Sequence, residues 1–321
     1  MTIASNLRRH FLACTTGAVT AGALLGNATQ GRAQTAPQSN PTARSWPKFR
    51  YCLNTSTING GEVPVREQLQ IAATAGYDAV ELWLRDVSKH VEAGGTVADL
   101  AKEISDLGLG LDSAIAFGNW IGDDEKERQA GLEQCRRDMQ LVRDLGGQRI
   151  AAPPVGATKE PKLDLSAAAD RYRRLLEIGA ECEVTPQVEL WGFSYNLATL
   201  AEVLYIATAA NHPNACVLLD VYHMYKGGSD FTNIGFVPGT KLHCLHMNDY
   251  PATPAQAEIN DSDRVYPGDG VAPIAAILQA LVEGGFDGTL SLELFNREYW
   301  KLAPLEVAKT GLKKMKAVSQ K

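Results

Sequence analysis

The chain has 321 residues, 45% of them hydrophobic, with 31 Lys and Arg against 37 Asp and Glu for a formal net charge of −6. Length and apolar content suit one large α/β domain. The acidic balance, with no basic cluster to offset it, opposes a nucleic-acid phosphate backbone as partner.

In chain order, residues 1–33 read as a basic start, a short weakly apolar stretch and a small-residue cleavage site ending in "GRA". Arg8-Arg9 followed by Phe11-Leu12 resembles a twin-arginine export signal, which is an address and not an anchor. The apolar run is too short and Gly/Thr-rich for a spanning helix. A periplasmic or secreted protein with no stable membrane anchor is therefore expected. Residues 34–47, "QTAPQSNPTARSWP", read as a flexible linker. Loss of residues 1–33, which hold three arginines and no acid, leaves 28 basic against 37 acidic side chains, a net charge of −9. Cys52, Cys135, Cys182, Cys216 and Cys244 remain, an odd count that favours buried thiols over a disulfide framework.

From residue 48 to 321, short apolar runs alternate with longer amphipathic ones. The strands are expected at 49–56, 78–84, 111–117, 149–153, 187–193, 215–222, 241–248 and 288–295. Helical patterns lie between and after them, at 65–75, 97–107, 124–144, 166–183, 197–210, 271–284 and 301–318. Eight strand–helix units predict a closed (β/α)8 TIM barrel. No GxGxxG follows the first strand, which weighs against a dinucleotide fold.

A parallel barrel gathers its functional side chains at the C-terminal ends of its strands. Four consecutive runs each place one ionisable residue near that end: Glu189 in "QVELWGF", Asp220 in "CVLLDVYH", His246 in "LHCLHMND" and Glu293 in "LSLELF". Period-two alternation gives each an apolar neighbour two positions earlier on the same face. Four such groups converging in an apolar interior call for a shared cation. Three carboxylates and one imidazole form an oxygen-rich set that suits Mn²⁺ first, with Mg²⁺, Co²⁺ or Zn²⁺ as alternatives. Such an ion polarises a hydroxy-ketone and stabilises an enediolate, while Glu189 and Glu293 move the proton. His243, one pleat away from His246, is expected to be structural.

These blocks resemble the xylose isomerase-like sugar phosphate isomerase/epimerase superfamily over roughly residues 49–318. The resemblance is carried by "VELWGF", "LLDVYHMYKGG", "LHMNDYP", "DRVYPGDG" and "SLELFN". It implies a (β/α)8 barrel whose metal is held by Glu189, Asp220, His246 and Glu293, the two glutamates also forming the acid/base pair. His223 and Arg264 match residues that contact substrate oxygens. Glu81 in "VELWL" is expected to reach the cavity and contact substrate, a helix-side salt bridge being the alternative. Trp191 is expected to wall a sugar ring, with core packing the alternative. Asp249 is expected to orient His246 or an adjacent loop. The segment "WGFSYN" lacks the further acid of ketose 3-epimerases, which points away from a free ketose.

The expected function is a divalent-metal-dependent isomerase or epimerase of a sugar, keto-sugar or cyclitol. The alternative is a lyase or dehydratase acting on a 3-keto-glycoside or keto-inositol at the same site. Abasic-site endonucleases share the barrel but bind three metals with many more histidines than the five left here: His90, His212, His223, His243 and His246. Partners are expected to be a small carbohydrate and, at most, further copies of the chain.

Overall fold

Strand by strand, β-branched and leucine-rich runs bounded by turns produce the alternation expected above. In the computed structural model, residues 46–60 and 62–320 are described. The expected export signal, and the linker up to residue 45, lie outside them. Trp46 packs edge-on against Phe49, with ring centroids 6.2 Å apart.

All eight expected strands form: β1 (Arg50–Asn54), β2 (Ala79–Trp83), β3 (Gly110–Ile115), β4 (Arg149–Ala152), β5 (Thr185–Glu189), β6 (Val217–Asp220), β7 (Leu242–Met247) and β8 (Thr289–Leu292). They pair in the order β3-β2-β1-β8-β7-β6-β5-β4, and every ladder is parallel. β3 and β4, the two ends of that order, lie side by side, so the sheet curls into a nearly closed barrel. This is the (β/α)8 fold. Its parallel strands are buried on both faces, which is why they read as near-continuous apolar runs.

Helices cover the outside. Val65–Ala75 turns Val65, Leu69, Ile71 and Ala72 toward the barrel and ends on Gly76. That glycine adopts φ 92°, a left-handed conformation that closes the helix without a Cβ penalty. Burying a side chain such as Leu69, which is fully covered, contributes about 1.5–3 kcal/mol. Helix Leu200–Ala209 starts at a reciprocal cap between Thr199 and Glu202. Among the described residues no helix is long and apolar enough to cross a membrane. The five cysteines among the described residues are free thiols, four of them buried.

Inside the barrel, Ile115, Ala151, Leu218 and Cys244 form an apolar layer. Below it, at the N-terminal mouth, the Arg50 Nε and Thr289 Oγ1 donate to Asp112 at 3.0 and 2.6 Å. All eight strands are shorter than the apolar runs suggested, and two of the early ends bear on the site. β5 ends at Glu189 because the chain turns back, the Trp191 N–H donating to the Leu197 carbonyl. β8 ends at Leu292, leaving Glu293 as the first residue beyond it. The helices at Ser56–Asn59, Leu84–Glu92 and Val221–Lys226 escaped the sequence reading, each following directly on a strand without a turn signal.

Candidate metal centre and its cavity

Glu189 and Asp220 are the last residues of β5 and β6, His246 lies one before the end of β7, and Glu293 follows β8. Register brings them to one level: Asp220 pairs with His246, and His246 with Ser291. His246 Nδ1 lies 3.1 Å from Glu293 Oε2, 3.7 Å from Asp220 Oδ2 and 3.8 Å from Glu189 Oε1. One ligand atom from each of Asp220, His246 and Glu293 falls within 4.8 Å of the other two. All four side chains are at most 4% exposed.

The surrounding shell is polar and almost fully paired. Arg264 Nη1 donates to Asp220 Oδ2 and Glu293 Oε2, both at 2.9 Å. Its Nη2 faces His223 Nε2 at 3.0 Å and donates to Asp261. The Arg264 guanidinium also covers the Tyr222 ring at 4.5 Å. Asp220 also caps the helix that follows β6, its Oδ1 accepting the His223 backbone N–H at 2.7 Å. Asp249 makes no bond to His246. Its carboxylate instead accepts the backbone N–H groups of Tyr250, Gly268, Gly270 and Ala272, and so fixes the loop after β7.

Glu81 departs from expectation. It is fully buried beneath His246 and contributes nothing to the cavity wall. Its Oε2 accepts from Asn54 Nδ2 at 2.9 Å and Ser291 Oγ at 2.7 Å, and lies 3.0 Å from His246 Nε2. Two strand positions below the β2 end are too deep for substrate. The expected substrate contact is therefore replaced by a carboxylate that orients the His246 ring. His243 is half-buried beside Arg149 and Lys241, outside the barrel interior, as the alternation implied.

Two amides were missed. Asn248 Nδ2 donates to Asp220 Oδ2 at 2.8 Å, while its Oδ1 receives the Tyr222 N–H at 2.8 Å. Asn54 Nδ2 is shared between Glu81 and Glu293, at 2.9 and 3.1 Å, and its Oδ1 accepts from Trp83 Nε1 at 2.9 Å. Both sit at strand ends, the one signal in sequence that points to them.

The charge balance shows what this pocket lacks. Four buried carboxylates, Glu81, Glu189, Asp220 and Glu293, face one guanidinium. Glu189 accepts no hydrogen bond among the described residues, and burial, reinforced by Glu293, Glu81 and Asp220 against the pull of His246, drives its carboxyl up to about 8. Burial would depress His246, yet Glu293 and Glu81 hold it well above its ordinary value. The protein is drawing protons in to balance charge. Nδ1 of His246, aimed at three carboxylates, has no aligned hydrogen bond. With Glu81 taking Nε2–H, displacement of the Nδ1 proton by a cation would leave Nδ1 as the lone pair of a metal-ligating tautomer. Three carboxylates and this nitrogen fit a divalent cation by both charge and donor type.

Above this floor a cavity of about 440 Å³ opens to solvent. Glu189, Glu293, His223 and Arg264 line its base, and Trp191 is part of its wall.

A family model described as xylose isomerase-like TIM barrel matches residues 69–318. The chain is 28% identical over 279 residues to an inosose isomerase of Bacillus velezensis, covering 85% of this chain and 98% of that one. It is 29% identical over 267 residues to a 3-dehydroshikimate dehydratase of Pseudomonas aeruginosa, which is 79% of this chain and 40% of the longer relative. A crystal structure of an IOLI protein with a binding zinc atom superposes with a TM-score of 0.77 at 25% identity, covering 84% of this chain and 98% of that one.

Proposed function

Because the chain belongs to the xylose isomerase-like TIM barrel family, we propose that it is a divalent-metal-dependent isomerase or epimerase of a sugar, keto-sugar or cyclitol. The observation that carries this reading is the unpartnered Glu189 carboxyl, raised to about 8, beside His246 Nδ1 and the carboxylates of Asp220 and Glu293. Glu189, Asp220, His246 and Glu293 would hold the ion, and Mn²⁺ suits the oxygen-rich set best. When bound, the ion supplies Lewis-acid polarisation of a carbonyl and its neighbouring hydroxyl.

The chain's own groups do the rest. Glu189 and Glu293 enter from separate walls, β5 and β8, and exchange a proton with the carbon next to the carbonyl. Arg264 Nη2 donates to His223 Nε2, which leaves the His223 proton on Nδ1. That Nδ1 has no protein partner, so it is available to donate to a substrate oxygen. Burial, together with Arg264, lowers His223 to about 3, which keeps it neutral. The likeness to a dehydratase favours a second reading with the same residues: Glu189 removes the proton and a β-substituent leaves. The export signal expected from the sequence of residues 1–33 supports a periplasmic or secreted setting for either reaction.

The test is turnover of inososes and keto-sugars after chelation and reloading with Mn²⁺, Mg²⁺, Co²⁺ or Zn²⁺. Activity is expected to vanish on chelation and return at one ion per chain. Full activity in protein shown to be metal-free would overturn the reading. Glu81→Gln addresses the orienting role separately. It is expected to weaken Mn²⁺ binding about 10–100-fold by calorimetric titration, and an unchanged affinity would remove Glu81 from the site.

A further inference from the structure

The polar floor of the cavity accounts for a small part of its wall. Five aromatic rings form a continuous arc above it. Phe295 meets Trp83 at 5.9 Å, Trp83 meets Phe117 at 5.3 Å, Phe117 meets Trp191 at 6.1 Å, and Trp191 meets Phe193 at 5.1 Å. Asn260, Ser262 and Arg297 also line the cavity. Trp83 is fixed in place by its bond to Asn54 and by Arg85, which covers its ring at 4.4 Å. Two rings of the arc are the most exposed, Phe117 at 43% and Phe193 at 49%, Phe193 also meeting the His223 ring at 5.6 Å.

Position argues that this arc serves more than a sugar. At about 30 Å³ for each water in the liquid, about 440 Å³ holds on the order of fifteen. A hexose or an inosose, with twelve heavy atoms, on Glu189 and Glu293 takes up most of that volume. A further substituent on it would lie at the open mouth, where Phe117 and Phe193 present two large phenyl faces that an apolar group would cover at a gain.

We infer that the substrate carries an apolar, aromatic substituent on its polyhydroxylated ring, seated between Phe117 and Phe193 while the ring lies on the polar floor. This rests on the proposed sugar or cyclitol reading and adds its substrate class: an aryl glycoside in keto form, in preference to a free sugar.

The test compares the methyl and phenyl 3-keto-glucopyranosides by calorimetry, on metal-loaded protein carrying Glu189→Gln so that bound ligand is not turned over. The phenyl glycoside is expected to bind about tenfold tighter or better. Adding Phe117→Ala and Phe193→Ala is expected to reduce that advantage to within about threefold while leaving methyl glycoside binding unchanged. The methyl glycoside doubles as the check that the variant is folded. Equal binding by the two glycosides, or a phenyl advantage that survives both substitutions, overturns the inference and leaves the sugar reading standing. Parallel weakening of both ligands also overturns it, because the arc would then stack only on the sugar ring. Failure of both glycosides to bind removes the inference and the sugar reading together.

Discussion

Glu189→Gln is expected to fold normally and to lose about 10²–10⁴-fold in turnover, the contribution of a well-placed general acid–base group. The fold is expected to survive because the native carboxylate accepts no hydrogen bond among the described residues, so the amide deserts no partner. A carboxyl raised to about 8 is already mostly neutral near pH 7, so a neutral amide leaves the charge balance almost unchanged. The metal-free variant should melt at or above the wild-type temperature. Turnover within about threefold of wild type would take the proton-transfer role away from Glu189. A collapse in melting temperature would show instead that the residue is structural.

Arg264→Met is expected to produce the largest loss of stability in the molecule. The side chain is fully buried and its Nη1 joins the Asp220 carboxylate to that of Glu293. Methionine matches much of the volume and keeps contact with Tyr222, so packing is largely spared. What remains is two buried carboxylates without their cation, and breaking such a pair costs about 3–5 kcal/mol. Urea unfolding in chelator should show that loss. Saturating Mn²⁺ should recover part of it, since an ion bound only by the folded chain stabilises it by linkage. A loss below about 1 kcal/mol would mean that Asp220 and Glu293 do not depend on the guanidinium. Arg264→Lys is not expected to rescue fully, because one ammonium cannot span Asp220, Glu293 and His223 at once.

The barrel and the strand-end quartet were legible because both depend on period. An ionisable residue closing an apolar run is visible in sequence, and eight such runs separated by helices leave few alternatives to a (β/α)8 fold. What period does not give is depth. Glu81 and Glu189 share the same inward face, yet Glu81 sits two positions below its strand end and meets His246 from beneath. Asn54 and Asn248 were hidden for a different reason. Neutral amides at strand ends read as turn residues, and only cross-strand register, such as Asn54 beside Glu81, shows them to be donors within the cluster. Asp249 was placed near the right loop, but the four backbone N–H groups it accepts come from residues up to 23 positions away. The aromatic arc was mostly invisible, because Phe117, Phe193 and Phe295 lie in loops after three different strands and no repeat links them.

The central claim is that Glu189 and Glu293 move a proton beside a carbonyl of a polyhydroxylated ring, and NMR in D₂O tests it most directly. Metal-loaded wild-type protein and Glu189→Gln would each be incubated with an inosose and with a 3-keto-glucopyranoside. The expected result is a changed ring in the wild-type sample, either an isomer with deuterium next to the carbonyl or an eliminated product, and unchanged substrate with Glu189→Gln. Substrates left intact by the metal-loaded wild-type protein, or converted equally by both proteins, would contradict it.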